Sequence, residues 1–471
     1  MSTLLAPDLL TQGRWWSGEE LDAIAKGWLT AVRERARGDR LVAVAVPTSP
    51  EGVALVIALS ALPSPVILLS PDVRAWRSAP AIPVGTPLVL PPALAQLAPE
   101  AEKHGLTPTV LPDASTSATG PSVDAFSGAG IVQFTSGSTG LPRPVFHPAV
   151  TYLSGTRARI QAMGLASGAG IVMSASPVYG QGLRYLVSAI LLRGPLALLH
   201  PHDHRSALVT LAQPVFGCWR ATRDLVEALC KCTLTSEAIV PPMCIVGTSM
   251  PPAVWGAFLQ RFGVPLRQGY SSTETGPIAL DASPPEDVQP DSVGRPLDSV
   301  EIRIGDHPDS SPEPDQPGQI WVRAPWQMAG YGFPPRVERP GDVDGWWPTK
   351  DLGRLRFDGY LSLVGRIDDA IRTRDNRTVN LAHVAATLCR LDGVSDAVVV
   401  AVETTAGQSF GAVVECAAGT TEAALRAALA DVLPPWSWPR TIEPVSALPR
   451  LANGKPDRQA CARLLAATVP D

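Results

Sequence analysis

Residues 131–133 form a short apolar run that leads into Phe134-Thr135-Ser136-Gly137-Ser138-Thr139-Gly140-Leu141-Pro142-Arg143. The run has the composition of a buried strand. Glycine lets the following loop turn with positive φ and approach a ligand closely, and successive N–H groups with Ser/Thr hydroxyls form an anion nest. The segment therefore predicts a loop that holds a phosphate chain or, since Gly/Ser/Thr clusters are also common there, a plain surface loop.

Three known glycine and serine motifs do not fit this segment. The P-loop needs a glycine, four further residues, then Gly-Lys, but Pro142 and Val145 stand five positions after Gly137 and Gly140. The dinucleotide fingerprint fails at its last glycine. The nucleophile elbow lacks the glycine two positions before its serine.

The composition is that of a globular protein with a sizeable core, because 45% of the 471 residues are hydrophobic and 18% are charged. This length corresponds to about three domain-sized units. The net charge is −5 and the basic residues do not cluster, which argues against a nucleic-acid partner. The seven cysteines include no Cys-x-x-Cys pair, as expected for reduced thiols in the cytoplasm.

Neither a secretory leader nor a membrane span is expected, and the predicted location is the cytoplasm. The start lacks a basic segment followed by an apolar one. The longest apolar stretch, residues 52–69, is interrupted by Pro63 and Pro65 and predicts a helix, a turn and a strand.

Helices and strands are predicted to alternate over the first part of the chain. This βαβ rhythm implies parallel sheets covered by helices, an α/β fold. The predicted helices span residues 21–37, 51–62, 101–105, 183–192 and 252–262, and the predicted strands span 41–46, 66–69, 106–111, 171–175, 196–199, 241–246 and 265–268.

The pattern of predicted elements changes after about residue 281. Polar Pro/Asp turns separate short strands at 320–323 and 360–364, which predicts a β-rich subdomain up to residue 367. The pattern of the last hundred or so residues predicts a compact α+β unit. Its helices are expected at 381–391 and 421–433, and its strands at 396–402 and 412–416.

Three other stretches carry functional side chains, and each has an ordinary structural alternative. Gly269-Tyr270-Ser271-Ser272-Thr273-Glu274 reads as a loop that offers a base-stacking ring, phosphate donors and a Mg²⁺ ligand, or as a simple turn. His200, His202 and His204 resemble zinc ligands, but Pro201 restricts them and no fourth ligand is evident, so a strand-end loop is favoured. Gly454-Lys455 reads as an exposed turn.

Taken in order, these stretches resemble the adenylate-forming superfamily of acyl- and aryl-CoA synthetases, luciferases and peptide-synthetase adenylation domains. The resemblance covers roughly residues 15–460. The segments that match the signature motifs of this superfamily are residues 135–143, 270–274, 318–331, 345–351, 365–369 and 454–455.

The resemblance implies two domains joined by a hinge. Residues 1–367 would form a large N-terminal domain of parallel-sheet αβαβα layers that includes the β-rich subdomain. Asp368 would be the hinge, and residues 369–471 a small mobile α+β domain. Rotation of this domain would present Lys455 for one half-reaction and open a thiol tunnel for the other.

The resemblance also implies a two-step reaction. A carboxylate attacks the α-phosphate of ATP and releases pyrophosphate, and a thiol of CoA or of a carrier protein's phosphopantetheine then displaces AMP. Both reactants of the first step are anions, so the site must neutralise charge. The implied catalytic residues are Lys455, which would bridge carboxylate and phosphate oxygens, Thr273 at the α-phosphate and Glu274 on Mg²⁺.

Binding residues are implied by the same motifs. Tyr270 would stack on adenine, and Asp351 would accept hydrogen bonds from both ribose hydroxyls. The full set at ATP would be Thr135, Ser136, Gly137, Ser138, Thr139, Gly140, Arg143, Ser249, Gly269, Tyr270, Ser271, Asp351 and Arg366. The acyl pocket would be lined by Tyr179, Gly180, Gly247 and Thr248.

Some positions depart from the superfamily pattern. Arg143-Pro144 replaces Lys-Gly, which keeps the charge but removes a backbone donor. Arg374-Asp375 stand where CoA ligases carry a flexible glycine loop, which leaves the acceptor open between CoA and a carrier protein. No Asp between residues 174 and 196 can pair with an α-ammonium group, which disfavours an amino acid, and Tyr179-Gly180 slightly favours an aromatic acid.

Three alternatives to an aryl- or acyl-CoA ligase stay open. The first is a fatty-acyl-AMP or acyl-carrier-protein ligase, and the second is a luciferase-like oxidase that lets oxygen attack the adenylate. The third is a non-catalytic homologue that kept the fold. The presence of Thr273, Glu274, Asp351, Arg366 and Lys455 argues against the third alternative.

Overall fold

A computed structural model describes residues 5–33, 41–73, 76, 81–116, 118, 122–135, 142–174, 176–178, 180–199, 204–232, 239–247, 250, 252–310, 315–372, 378–404, 407–417, 419–430, 432–451 and 456–468. The helices in this part of the chain are α1 (Gly18–Arg33), α2 (Pro50–Ser60), α3 (Ala98–Lys103), α4 (Ala149–Met163), α5 (Gly180–Leu192), α6 (His204–Leu211), α7 (Arg223–Lys231), α8 (Pro252–Phe262), α9 (Leu381–Leu388), α10 (Glu422–Ala430) and α11 (Arg458–Thr468).

The strands of the same residues are β1 (Leu9–Thr11), β2 (Arg14–Trp16), β3 (Val42–Ala45), β4 (Val66–Leu69), β5 (Pro87–Leu90), β6 (Thr107–Val110), β7 (Gly130–Phe134), β8 (Pro144–Pro148), β9 (Gly170–Met173), β10 (Leu196–Leu198), β11 (Phe216–Ala221), β12 (Met243–Val246), β13 (Leu266–Ser272), β14 (Gly276–Leu280), β15 (Arg295–Pro296), β16 (Glu301–Ile304), β17 (Gly318–Arg323), β18 (Gly330–Phe333), β19 (Arg336–Glu338), β20 (Trp347–Leu355), β21 (Leu361–Arg366), β22 (Ala370–Arg372), β23 (Thr378–Asn380), β24 (Val394–Thr404), β25 (Gly407–Cys416) and β26 (Ile442–Val445).

Two large sheets dominate the described part of the chain. One has nine strands in the order β15-β14-β13-β12-β11-β9-β10-β1-β2 and is parallel from β13 to β1. The other has eight strands in the order β19-β18-β8-β7-β4-β3-β5-β6 and is parallel from β7 to β6. Parallel strands end at a common edge, so the segments after β9, β11, β12 and β13 emerge side by side.

Both sheets pack against one shared core. Trp28 of α1, Tyr152 of α4 and Tyr185 of α5 are at most 1% exposed and join one hydrophobic cluster with strands of both sheets. These helices therefore lie between the two sheets, because parallel sheets need both faces covered. The layered α/β fold predicted from the sequence is confirmed.

Smaller units follow the two large sheets. Strands β16, β17, β20 and β21 form a four-stranded antiparallel sheet, whereas β18 and β19 extend the eight-stranded sheet through β8. Farther along the chain, β24, β25 and β26 form a three-stranded sheet. Helices α9 and α10 cover one face of this sheet and α11 the other, each with its own hydrophobic cluster.

The C-terminal unit contacts the rest of the chain at α7 through buried charges. Arg223 of α7 lies 2.9 Å from an Asp396 carboxylate oxygen and donates a second hydrogen bond to the Ser395 carbonyl at 2.7 Å. The same carboxylate pairs with Arg450 at 3.0 Å. Asp396 is itself buried, so this paired contact holds the two units in the observed arrangement.

Predicted elements match the structure best where polar residues do not interrupt the apolar pattern. Strand β4 and helix α8 have the predicted bounds, and most other predicted strands agree within a few residues. Several elements were not predicted, among them β5, β8, β11, β14, β20, α4, α6, α7 and α11. Helix α4 escaped notice because its buried face includes Gly155, Thr156 and Arg159, which breaks the apolar stripe.

Two local predictions are wrong. The loop predicted after the strand at 265–268 is itself strand as far as Ser272, because Gly269 and Tyr270 pair with Leu280 and Ala279 of β14. Glycine and serine suggested a turn, but tertiary pairing overrode that preference. The helix predicted to begin at residue 183 begins three residues earlier, at Gly180.

The histidine cluster and the membrane prediction can be compared with the described residues only in part. His200 and His202 lie outside them, while His204 begins α6. No group of three His, Cys, Asp or Glu residues arranged for a metal occurs in the described ranges. Over those ranges, too, no helix has the length and apolar character needed to cross a bilayer.

Candidate active site

The glycine- and hydroxyl-rich segment joins β7 to β8, and its two ends are bonded to each other. The Thr135 N–H donates to the Arg143 carbonyl at 3.1 Å, and the Arg143 N–H donates to Thr135 Oγ1 at 3.1 Å. These two bonds close the base of the β7–β8 pair at the end of a buried strand. Ser136, Gly137, Ser138, Thr139 and Gly140 lie outside the described residues.

Tyr331 joins this loop to the acidic residue of the second motif. Its hydroxyl donates to Glu274 Oε1 at 2.7 Å, and the Arg143 guanidinium carbon lies 4.0 Å from the centroid of its ring. Burial, and then the neighbouring Glu274 carboxylate, raise the pKa of Tyr331, so the phenol stays protonated and donates. The Arg143 guanidinium and the Glu274 carboxylate thus both contact Tyr331, beside the C-terminal end of the loop.

Glu274 is a suitable oxygen donor for Mg²⁺. This ion prefers oxygen ligands and is often held by one or two carboxylates together with substrate phosphates. Tyr331 bonds one carboxylate oxygen of Glu274, and no described residue bonds the other. The second carboxylate oxygen of Glu274 therefore suits an ion of this kind.

The turn that carries Thr273 and Glu274 is fixed through its backbone carbonyls. His147 Nε2 lies 2.6 Å from the Thr273 carbonyl oxygen, and the Met328 N–H donates to the Glu274 carbonyl at 2.7 Å. A carbonyl oxygen only accepts, so His147 carries its proton on Nε2. Its other ring nitrogen, Nδ1, is buried without a partner among the described residues. His147 therefore couples β8 to the Thr273 turn as a neutral imidazole.

Acidification is expected to weaken the fold through His147. Burial, and then the positive charge of Arg184, lower the pKa of this imidazole from 6.5 to about 3. Between these two values the unfolded chain binds the extra proton and the folded chain does not, so stability present above pH 6.5 is lost as the pH falls. The loss from pH 7.5 to pH 5 amounts to about 2 kcal/mol.

The matched variant for this test is His147→Gln, which keeps an N–H donor but does not titrate. Denaturant unfolding at pH 7.5 and pH 5 should show a smaller acid-induced loss of unfolding free energy for the variant than for the wild type. Equal losses in both proteins would contradict the assignment to His147.

Tyr270, Asp351 and Arg366 form a second cluster. Asp351 and Arg366 are directly opposite in the β20–β21 pair, and an Arg366 Nη1 lies 3.2 Å from Asp351 Oδ1. The Tyr270 hydroxyl donates to Asp351 Oδ2 at 2.5 Å. Burial, and then the Asp351 carboxylate, hold the pKa of Tyr270 well above its ordinary value. This cluster ties the nine-stranded sheet to the four-stranded one.

The two clusters are neighbours. Arg366 is close enough to Tyr331 for its charge to act on that phenol, and Tyr270 precedes Thr273 by three residues. The structure thus brings Thr135, Arg143, Tyr270, Thr273, Glu274, Asp351 and Arg366 into one region. No role was predicted for His147 or for Tyr331. Tyr331 stood in a matched motif, whereas nothing in the sequence marked His147.

Of the residues predicted for the acyl pocket, Gly180 and Gly247 belong to the part of the chain that the structure describes. Gly180 begins α5, and a Cβ added there would lie 3.5 Å from Gln133 Oε1 of β7. Gly247 directly follows β12, and Gly269 lies within β13. Tyr179, Thr248 and Ser249 fall outside the described residues.

The segment around the predicted catalytic lysine is described only at its ends. Arg450 and Pro456 form an isolated β-bridge, and the Asp457 N–H donates to the Pro449 carbonyl at 2.8 Å. Lys455 itself lies outside the described residues. Asp368, the predicted hinge, stands in a short helical turn between β21 and β22.

Comparison with known proteins identifies relatives of both parts of the chain. The model of the AMP-binding enzyme family matches residues 6–332, and that of the AMP-binding enzyme C-terminal domain matches residues 383–455. An oxalate–CoA ligase of Arabidopsis thaliana is 30% identical over 46% of this chain and 42% of its own length. A 3-hydroxybenzoate–CoA ligase of Aromatoleum sp. (strain CIB) is 27% identical over 68% of this chain and 64% of its own length.

These curated relatives are therefore matched over less than two thirds of their own length. Among solved structures, ATP-bound MatB from Rhodopseudomonas palustris superposes with a TM-score of 0.82 at 20% identity, covering 98% of this chain and 96% of the other. At that identity the likeness is one of fold. These matches confirm the resemblance to adenylate-forming enzymes, and the chain belongs to the AMP-binding enzyme family.

Proposed function

We propose that the chain is an ATP-dependent acid–thiol ligase that activates a carboxylic acid as its acyl adenylate. The observation that carries this proposal is the linkage of the loop base, the Thr273–Glu274 turn and the Asp351–Arg366 pair through Tyr331 and Tyr270. Phosphate donors, a Mg²⁺ ligand and a ribose acceptor are what an adenylating site requires.

In the first step a carboxylate oxygen bonds to the α-phosphorus of ATP, and the bond to the pyrophosphate oxygen breaks. Thr135, Arg143 and the residues between them would hold the leaving pyrophosphate, and Thr273 the α-phosphate. Mg²⁺ on Glu274 would neutralise phosphate charge. Lys455 would reduce the electrostatic repulsion between the attacking carboxylate and the ATP phosphates. No covalent intermediate on the protein is needed.

The nucleoside would be held by the second cluster. Asp351, which accepts from Tyr270 and pairs with Arg366, would also accept hydrogen bonds from the two ribose hydroxyls. Tyr270 would stack on adenine near Ser249, Gly269 and Ser271. In the second step the thiol sulfur bonds to the acyl carbon and AMP leaves with one oxygen of the original carboxylate. Between the two steps, rotation of the C-terminal domain about Asp368 would withdraw Lys455 from the site and open the thiol tunnel.

The acid is proposed to be aromatic or short, with a pocket lined by Tyr179, Gly180, Gly247 and Thr248. The named substrates of the two curated relatives, 3-hydroxybenzoate and oxalate, support this direction. A fatty-acyl-AMP or acyl-carrier-protein ligase is the alternative. Both relatives use CoA, which supports CoA as the acceptor over a carrier protein.

The proposal is tested by carboxylate-dependent exchange of labelled pyrophosphate into ATP, using a panel of aromatic, dicarboxylic and fatty acids. An acid that supports exchange is then incubated with CoA or with a phosphopantetheinylated carrier protein, and the thioester is detected by mass spectrometry. We expect exchange with at least one acid and thioester on CoA. Absence of exchange across the whole panel would instead favour a non-catalytic homologue.

A further inference from the structure

Three buried arginines lie between α4, α5 and β11 without an acidic partner. Arg159, Arg184 and Arg220 are each between 5% and 8% exposed. Among the described residues, no carboxylate forms an ion pair with any of them. A buried charge is costly unless it is paired, so an uncompensated cluster of this kind calls for an anion from elsewhere.

The guanidinium groups are bonded to neutral acceptors only. Arg159 donates to Ser188 Oγ at 3.2 Å and lies 3.9 Å from the Tyr185 ring centroid. Arg220 donates to the carbonyl of Ala221. The Nε atoms of Arg159 and Arg220 are buried and have no partner in the described part of the chain. Donors therefore remain in both side chains for another group.

Arg184 has more hydrogen-bond partners than the other two arginines. It donates to the Tyr152 carbonyl at 3.3 Å and to Thr156 Oγ1 at 3.4 Å, and its guanidinium carbon lies 4.1 Å from the Tyr152 ring centroid. Burial and then the positive charge of Arg159 lower the pKa of Arg184 to about 10, after partial compensation by Tyr152. Arg184 thus adds positive potential and few open donors.

Arg159 stands close to both other cations. Its charge acts on Arg184 and on Arg220, and Arg159 and Arg220 both act on the Tyr185 phenol and the Cys218 thiol. Cys218 Sγ of β11 lies 3.9 Å from Met163 Sδ of α4. Arg159 is one helical turn from Met163, and Arg220 is two residues from Cys218 on the same face of the sheet, so both arginines lie where α4 packs on β11. Guanidinium groups from two packed elements can together offer a carboxylate the paired donors that it binds best.

The position of this pair relates it to the acyl pocket. Arg220 is the penultimate residue of β11, and its carbonyl accepts from the Ser174 N–H just after β9. Gly247, a predicted pocket residue, follows the neighbouring strand β12. Gly180, another, lies one helical turn before Arg184 in α5. The arginines therefore lie beside the strand edge from which the acyl group would approach.

We propose that Arg159 and Arg220 bind a second carboxylate of the acid substrate, at the end remote from the carboxylate that attacks ATP. The substrate class is then a dicarboxylic acid. This inference rests on the proposed adenylation function. Arg159 and Arg220 are specificity-determining residues here, because they touch the substrate far from the reacting atoms.

The test compares acids that differ only by the second carboxylate: benzoate with isophthalate, and butyrate with glutarate. Pyrophosphate exchange is measured for the wild type and for Arg159→Met and Arg220→Met. We expect the wild type to use one diacid at least tenfold better, by kcat/KM, than its monoacid partner. Each Met variant should lose about tenfold to hundredfold on the diacid and change little on the monoacid.

Arg157→Met is the matched control, since Arg157 lies on the same helix but is exposed. It should keep the diacid preference. Arg159→Lys should recover part of the diacid activity, because it restores charge without the fork. Circular dichroism and thermal melting of every variant separate loss of folding from loss of recognition.

Two results would overturn the inference. One is a wild type that exchanges pyrophosphate with monoacids and shows no preference for either diacid, whatever the variants do. The other is a folded Arg159→Met or Arg220→Met protein whose diacid preference equals that of the wild type. Failure of every acid to support exchange is a different outcome, because it removes the proposed function itself.

Discussion

Replacement of Lys455 by alanine is expected to lower acid-dependent ATP–pyrophosphate exchange by about 10²- to 10³-fold. The first step brings a carboxylate to a phosphate, and a cation placed between their oxygens stabilises charge that is greatest in the transition state. The second step needs no such bridge. Thioester formation from a synthetic acyl adenylate and CoA should therefore stay within a few-fold of the wild-type rate.

Both half-reactions must be measured on the same preparation. Lys103→Ala is a suitable control, because Lys103 is an exposed residue of α3 that pairs only with Glu100 in the described residues. It should leave both steps unchanged. A Lys455→Ala protein that loses both half-reactions equally would refute a role confined to adenylation.

Asp351→Ala is expected to raise the KM for ATP on the order of 100-fold, since two hydrogen bonds between ribose hydroxyls and a charged acceptor are lost. The same change leaves the buried Tyr270 hydroxyl without its acceptor and Arg366 without its partner. An unsatisfied buried donor costs about 1–3 kcal/mol. A lower melting temperature should therefore accompany the weaker ATP binding.

Two further variants distinguish these effects. Asp351→Asn keeps an acceptor for Tyr270, so stability should be largely restored while ATP binding stays impaired through loss of charge. Asp358→Ala removes an exposed carboxylate in the turn between β20 and β21, with its local bonds to Arg356 and the Tyr360 N–H, and should leave ATP binding unchanged. Unchanged ATP binding in a folded Asp351→Ala protein would exclude Asp351 as the ribose acceptor.

Much of the fold was predictable because buried parallel strands are short apolar runs. Strand β4, for example, reads Val-Ile-Leu-Leu and is buried throughout. Strand β13 was not predictable in full, since its second half is made of glycine, tyrosine and serine and owes its extended form to pairing with β14. Helix α4 was missed because buried polar side chains interrupt its pattern.

The candidate site was predictable only through motifs. Asp351 and Arg366 were singled out by resemblance, and the strand register that places them opposite each other is a property of the folded sheet. His147 and the buried arginines carry no local signal at all. Their roles are inferred from their burial and from polar atoms that lack a partner among the described residues, and neither property can be read from a sequence.

The most direct measurement follows the oxygen atoms of the acid. An acid that supports exchange is labelled with ¹⁸O in its carboxylate and converted to its CoA thioester with unlabelled ATP, and the nucleotide products are analysed by mass spectrometry. Attack at the α-phosphorus predicts AMP carrying one ¹⁸O, with unlabelled pyrophosphate. ADP together with ¹⁸O in inorganic phosphate would instead show attack at the γ-phosphorus and would contradict adenylate formation.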